Sequence, residues 1–252
     1  MEGYVKSKNI NGITIIEFFH PQRNSLPGVI LGELANCITN SASDKNCQLI
    51  ILRSSGDKVF CSGASFEELA NIKTNEEGLQ FFSGFAKVIN AIRKSPQFII
   101  GRIHGKCVGG GVGLAAAVDY AIATDNADIK LSELAVGIGP FVVGPAVERK
   151  IGLAAFSQLA IDASGWRSAE WALQKGLYAE VFSNIEDADA YIDKLAFQLI
   201  QTSPLAKQEL KKVFWSGTEN WDTLLMERAA ISGRLIVSEY SQKAIAAFKS
   251  KQ

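Results

Sequence analysis

Histidine is nearly missing from this chain of 252 residues, with His20 and His104 the two examples, and its four cysteines form no C-x-x-C pair. A histidine-based zinc site therefore lacks its ligands. The scattered Cys37, Cys47, Cys61 and Cys107 read as reduced cytosolic thiols or packing residues. Net charge is missing as well, since 26 Lys and Arg balance 26 Asp and Glu. That removes the basic excess on which nucleic-acid or anionic-membrane binding depends. No apolar run is long enough to cross a bilayer. The opening MEGYVKSKNINGITII has no continuous apolar stretch, so it reads as a strand and not as an export signal, and a cytoplasmic location is expected. Internal repeats, linkers and low-complexity segments are not found either.

What remains is an ordinary globular balance, 47% apolar and 21% charged, in a length that suits one large domain. ITIIEF (13–18), QLIILR (48–53) and QFIIGRIHG (97–105) read as buried strands, with DYAIAT (119–124) and DIKLSE (128–133) as two more. Between the first two strands, PGVILGELANCITNSAS carries apolar residues at helical spacing, and Pro27 suits its entry. Strand and helix patterns in alternation argue for an α/β domain. The second half is mostly helical, with GLYAEVF (176–182) as a short strand. In ENWDTLLMERAAISGRLI, Trp221, Leu224, Leu225, Ala229, Ser232 and Leu235 fall on or near one face, a core or interface stripe. A boundary near residue 187 divides a mixed part, 1–187, from a helical part, 188–252.

Three consecutive glycines, Gly109 to Gly111, stand between a strand and a helix of small residues in GKCVGGGVGLAAAVDYAIAT (105–124). Glycine is entropically costly there, so either a tight main-chain crossing or a ligand close to backbone N–H groups is needed. A helix N-terminus offers unpaired donors to an oxygen anion. The stretch has neither the Walker Lys-Ser/Thr nor the spacing G-x-G-x-x-G, so a nucleotide phosphate is disfavoured and an oxyanion hole remains. FCSGASFEEL (60–69) offers a second donor loop of the same form through Gly63 and Ala64. Ser65 is placed to cap the helix that begins there, and Glu67 and Glu68 to complement its dipole. His104 reads as a packed, hydrogen-bonded histidine, His20 as a loop residue, and Cys61 and Cys107 as small apolar fillers.

HPQRNSL (20–26), FCSGASFEEL, IHGKCVGGGVGLAAAVDYAIAT (103–124), SELAVGIGPFVVGPAVERKIG (132–152) and SAEWALQKGLYAEVF (168–182) together resemble the crotonase family of enoyl-CoA hydratases and isomerases. AIAAFKSK (244–251) is similar to that family's C-terminal end. The resemblance implies a spiral of ββα units that binds acyl-CoA, followed by a helical trimerisation region. It also implies homotrimers or paired trimers, and no cofactor beyond the CoA carried by the substrate. It places the two oxyanion donors at Ala64 and Gly110, with Ser62, Gly63, Gly109, Gly113 and Phe141 against the substrate. Lys249 and Lys251 stand where basic residues of the family meet CoA.

Hydratases of the family use two glutamates twenty residues apart. Here the second position holds Glu133 but the first holds Gly113, which has no acid–base capacity. A shift of a double bond from the 3 to the 2 position needs only one base, and AVGIGPF resembles the corresponding segment of single-glutamate Δ3,Δ2-enoyl-CoA isomerases. Isomerisation with Glu133 as proton shuttle is the expectation. A hydratase with its second group elsewhere, a decarboxylase, a thioester hydrolase, and an inactive acyl-CoA- or RNA-binding scaffold are the alternatives. By itself, Glu133 could also be a strand-end surface carboxylate, and Gly113 could serve close packing or make room for an acyl chain.

Overall fold

The structure is a computed structural model that describes residues 2–249, with side chains to residue 247. Lys249 and Lys251 thus lie outside the described side chains. An antiparallel pair, β1 (Tyr4–Ile10) and β2 (Ile13–Phe19), turns at Asn11 and Gly12, both at positive φ. β1 is the edge of a six-stranded sheet, and exposed Lys6 and Lys8 keep that edge from templating another chain. β3 (Ser25–Leu26) leads through Pro27 into α1 (Gly28–Ser43), the expected entry point.

From β4 onward the chain repeats one pattern. β4 (Leu49–Ser54) joins the large sheet, then β5 (Val59–Cys61) joins a smaller one. The short β6 (Gly63–Ala64) pairs with β3, and the helices α2 (Phe66–Asn71) and α3 (Asn75–Lys94) close the unit. The next unit is β7 (Ile99–Ile103), β8 (Lys106–Val108) and α4 (Gly110–Ala117). The third is β9 (Tyr120–Thr124), β10 (Ile129–Lys130), a 3₁₀ helix at Glu133–Val136 and α5 (Gly144–Ile161). Each unit thus gives one strand to the sheet β1-β2-β4-β7-β9 and one to the sheet β10-β8-β5. This is the ββα spiral expected from the resemblance.

α6 (Ala169–Gln174) and β11 (Glu180–Phe182), the last strand of the large sheet, follow. The chain ends in α7 (Ile185–Ile200), α8 (Pro204–Phe214), α9 (Trp221–Ile236) and α10 (Glu239–Lys249).

The continuous apolar run of β4 has a structural reason. Its neighbours β2 and β7 are parallel to it, and both faces of the sheet are covered. Leu49 and Ile51, with Ile100 and Ile122, pack under Ala188, Ile192 and Ala196 of α7, while Ile50 and Leu52 point into the main core with Leu31 and Leu34 of α1. The boundary expected near 187 therefore falls inside a helix that covers the sheet, so α7 belongs with the mixed part of the chain. α9 likewise packs into the main core through Trp221, Leu225 and Ala229. The strand expected over 128–133 is shorter. It stops at Lys130, and the chain winds into the 3₁₀ turn that ends at Gly137, φ 80°.

Candidate active site

The triple glycine lies between β8 and α4, and each of its members is pressed by a different neighbour. Gly109 takes φ 53° and ψ −115°, a conformation that side-chain-bearing residues avoid, and a Cβ there would stand 2.9 Å from Glu133 Oε1. A Cβ on Gly110 would enter the Phe85 ring, and one on Gly111 would strike the Cys61 carbonyl. The expectation that these glycines clear a path for a substrate oxygen is thus incomplete. The protein's own atoms already occupy the space that side chains would need, because a carboxylate, an aromatic ring and a neighbouring strand all converge on this loop.

The same crowding brings the two donor loops together. Gly63, at φ 87°, sits so close that a Cβ on it would lie 2.8 Å from the Val108 carbonyl and 3.3 Å from Gly110 N. Gly110 is the first residue of α4, so its N–H has no acceptor within the helix. Ala64 pairs with Leu26 in a parallel ladder, and the Leu26 carbonyl accepts from Ser65 N at 3.2 Å. In that register Leu26 bonds to the residues flanking Ala64, and the N–H of Ala64 itself turns to the other side. Ala64 and Gly110 both line one cavity of about 60 Å³, together with Ser62, Gly63, Gly109 and Phe141.

Glu133 opens the 3₁₀ helix and lines the same cavity. The residue is half-buried overall, but its Oε2 is sealed from solvent and has no hydrogen-bond partner among the described residues. Burial among apolar walls, including Phe85, Val136 and Ile138, pushes its carboxyl up to about 7. The reading of Glu133 as a surface carboxylate is thereby set aside. Among the described residues that line this cavity it is the one ionisable group.

Gly113 is a correction. It does not line the cavity, and a Cβ on it would collide with Val143, whose side chain does form part of the wall. Gly113 is glycine because α4 and the start of α5 approach closely there, the packing alternative of the two the sequence left open. The sequence reading in turn missed Ser132 and Ser232, both on the cavity wall. Ser232 comes from α9 and is 2% exposed. The available signal was the small pair Ser232-Gly233 interrupting an apolar stripe.

The supporting residues are placed as follows. Ser65 caps α2 by accepting from Glu68 N at 3.3 Å, as expected. Glu67 and Glu68 do more than complement the dipole. Glu68 Oε2 accepts from Gly28 N at 2.8 Å and Glu67 Oε2 accepts from Gln22 Nε2 at 3.3 Å, so the pair ties the loop before α1 to the donor loop. His104 is packed, but neither ring nitrogen has a hydrogen-bond partner among the described residues, contrary to expectation. Burial holds its pKa down to about 4, so the ring is neutral and asks for less compensation than an imidazolium would. His20 lies in the loop after β2. Cys61 and Cys107 are buried, and burial pushes the Cys61 thiol up to about 12, which makes it inert packing.

Comparison with known proteins places the chain in a family. The sequence profile of the family described as Enoyl-CoA hydratase/isomerase matches residues 8–252. The mitochondrial methylglutaconyl-CoA hydratase of Rattus norvegicus is 31% identical over 235 residues, covering 91% of this chain and 74% of that protein. The mitochondrial Delta(3,5)-Delta(2,4)-dienoyl-CoA isomerase of Mus musculus is 27% identical over 204 residues, 75% of this chain and 61% of that one. In fold, the crystal structure of enoyl-CoA hydratase from Bacillus halodurans superposes with a TM-score of 0.89 at 22% identity, covering 97% of this chain and 99% of that chain. Since the profile match takes in all three ββα units and the helices after them, this protein belongs to the enoyl-CoA hydratase/isomerase family.

Proposed function

We propose that the protein converts 3-enoyl-CoA thioesters to 2-enoyl-CoA thioesters, with Glu133 as the proton shuttle. The observation that carries this reading is the single buried carboxylate beside two main-chain donors. The thioester carbonyl oxygen is placed on the N–H groups of Ala64 and Gly110. Glu133, ionised, takes a proton from the α carbon, and the electron pair spreads into a dienolate whose oxygen those N–H groups stabilise. Each such donor is worth on the order of 3 kcal/mol in comparable sites. The protonated Glu133 then returns the same proton to the γ carbon, so no water and no second base take part. Ser62, Gly63, Gly109 and Phe141 shape the wall around the thioester. No cofactor is required, because CoA is part of the substrate.

Hydration of a 2-enoyl-CoA is the second reading, favoured by the hydratase name of the relative with 31% identity. It asks for a second group to activate water, and Gly113 cannot be that group. Purified protein given 3-hexenoyl-CoA and crotonyl-CoA separates the two. Isomerisation of the first with little hydration of the second is expected; rapid hydration of crotonyl-CoA with no turnover of 3-hexenoyl-CoA would reject the isomerase. Turnover of neither would return the chain to a binding role. Assembly as a homotrimer, or as paired trimers, belongs to the same proposal and is tested by sedimentation velocity.

A further inference from the structure

A second cavity, about 240 Å³, opens at the other end of α4, where Ala116 and Val118 form part of its wall. It shares no lining residue with the cavity that holds Glu133. Gly110 lines the first and Ala116 the second, six positions along α4, so the two lie roughly 10 Å apart. Its acid is fully engaged. Asp119 Oδ2 accepts from Lys211 Nζ at 2.6 Å and Ile99 N at 2.7 Å, and Oδ1 accepts from Trp215 Nε1 at 3.0 Å. That carboxylate neutralises Lys211.

Two further cations face the cavity without an acid of their own. Lys150 Nζ donates to the carbonyls of Val118 at 3.0 Å and Asp119 at 2.9 Å, which leaves one of its three N–H groups free. The Arg149 guanidinium lies over the Trp215 ring, 4.6 Å from the centroid, and makes no hydrogen bond among the described residues. Burial lowers the Lys150 pKa to about 8, with Arg149 and Lys211 adding to the fall, although the nearby Asp119 carboxylate pulls the other way. A plainer account assigns Lys150 to the C-terminal end of the α4 dipole and Arg149 to the surface. It leaves unexplained why two like charges are held side by side on one cavity, one of them over an indole ring with its donors unused. The rest of the wall is apolar: Ala116, Val118, Phe214 and Trp215.

We infer that this cavity binds a carboxylate carried on a short apolar stem, its oxygens on Arg149 and Lys150 and its stem against Phe214 and Trp215. A planar guanidinium edge suits two carboxylate oxygens, and the aromatic wall suits the carbons behind them. A free short-chain carboxylate and an Asp or Glu side chain of a second copy of this chain share that chemistry. The inference is independent of the reaction proposed for Glu133.

The test titrates the full chain with butyrate by calorimetry at low ionic strength, with inorganic phosphate as the oxyanion that has no stem. Sedimentation velocity over a range of concentrations is run in parallel, on wild type, Arg149→Gln and Lys150→Met. Butyrate binding that weakens about tenfold or more in Arg149→Gln, as loss of one charge-assisted contact predicts, supports the inference with a free ligand. No butyrate uptake by wild type, with an assembly that dissociates more readily in Arg149→Gln, supports it with the carboxylate supplied by a second copy. Arg149 is exposed and makes no bond the fold needs. Its variant therefore decides the matter even where Lys150→Met, which loses two bonds to the end of α4, does not fold. Butyrate held equally by wild type and Arg149→Gln, phosphate held more tightly than butyrate, or neither binding nor altered assembly overturns it.

Discussion

Glu133 is a carboxylate that the fold keeps uncomfortable, and that discomfort suits a proton shuttle. Its pKa, raised to about 7 by burial, makes it basic enough to take a proton yet acidic enough to return it. Turnover should rise with pH through about 7 as Glu133 ionises, and a flat kcat/KM profile between about pH 5 and 8 would remove it from the mechanism. Glu133→Gln should lower turnover on 3-hexenoyl-CoA about 100-fold or more. Stability runs the other way. Between 4.5, the ordinary value, and about 7, the native state holds a proton that the unfolded chain releases, so stability falls as pH rises through this window. The amide in Glu133→Gln carries no charge to bury, so this variant should melt above wild type at about pH 8, with a smaller difference at about pH 5. Gly113 supplies the packing counterpart. Gly113→Ala forces a methyl into Val143 and should cost about 1–3 kcal/mol, read from urea unfolding.

At the scale of elements, the site depends on two helices that meet backbone to backbone. A Cβ on Gly78 of α3 would stand 2.6 Å from Gly233 Cα, and one on Gly233 would stand 2.7 Å from Leu79 N. This crossing holds Phe82 and Phe85 of α3 and Ser232 of α9 on one wall of the candidate active site. Alanine at either glycine would gain about 1 kcal/mol of helix propensity. Two main chains cannot yield as a side chain tip can, so the crowding, about 1–3 kcal/mol, should win. We expect Gly78→Ala to unfold at lower urea and to raise KM for acyl-CoA as the wall shifts; equal or greater stability would show that the helices separate at no cost. The donor loop is braced in a comparable way. Ser65 caps α2, and Glu68 of the same helix reaches back to Gly28 N.

For the whole molecule, the decisive contact is α7 on the large sheet. Ala188, Ile192 and Ala196 cover Leu49, Ile51, Ile100 and Ile122, and each fully buried side chain of this size is worth about 1.5–3 kcal/mol. Uncovering that face would cost on the order of the entire stability of a domain. A fragment ending at residue 187 should therefore fail to give a cooperative unfolding transition, whereas the full chain should unfold with α7 and the sheet together. A folded 1–187 fragment would restore the division first read at that point. The sequence by itself determined the main strands of the large sheet and the α/β alternation, because apolar periodicity and turn residues are local properties, while the repeating ββα unit entered only through the family resemblance. It also marked the glycine loops and Glu133 through linked motifs, and the cap at Ser65 through position alone. Only the tertiary structure decided that Gly113 faces Val143, that Ser232 enters the wall from a helix far along the chain, and that Glu133 loses its solvent. Those three facts depend on which surfaces meet across the fold, and contact between distant segments leaves no periodicity in either segment to read.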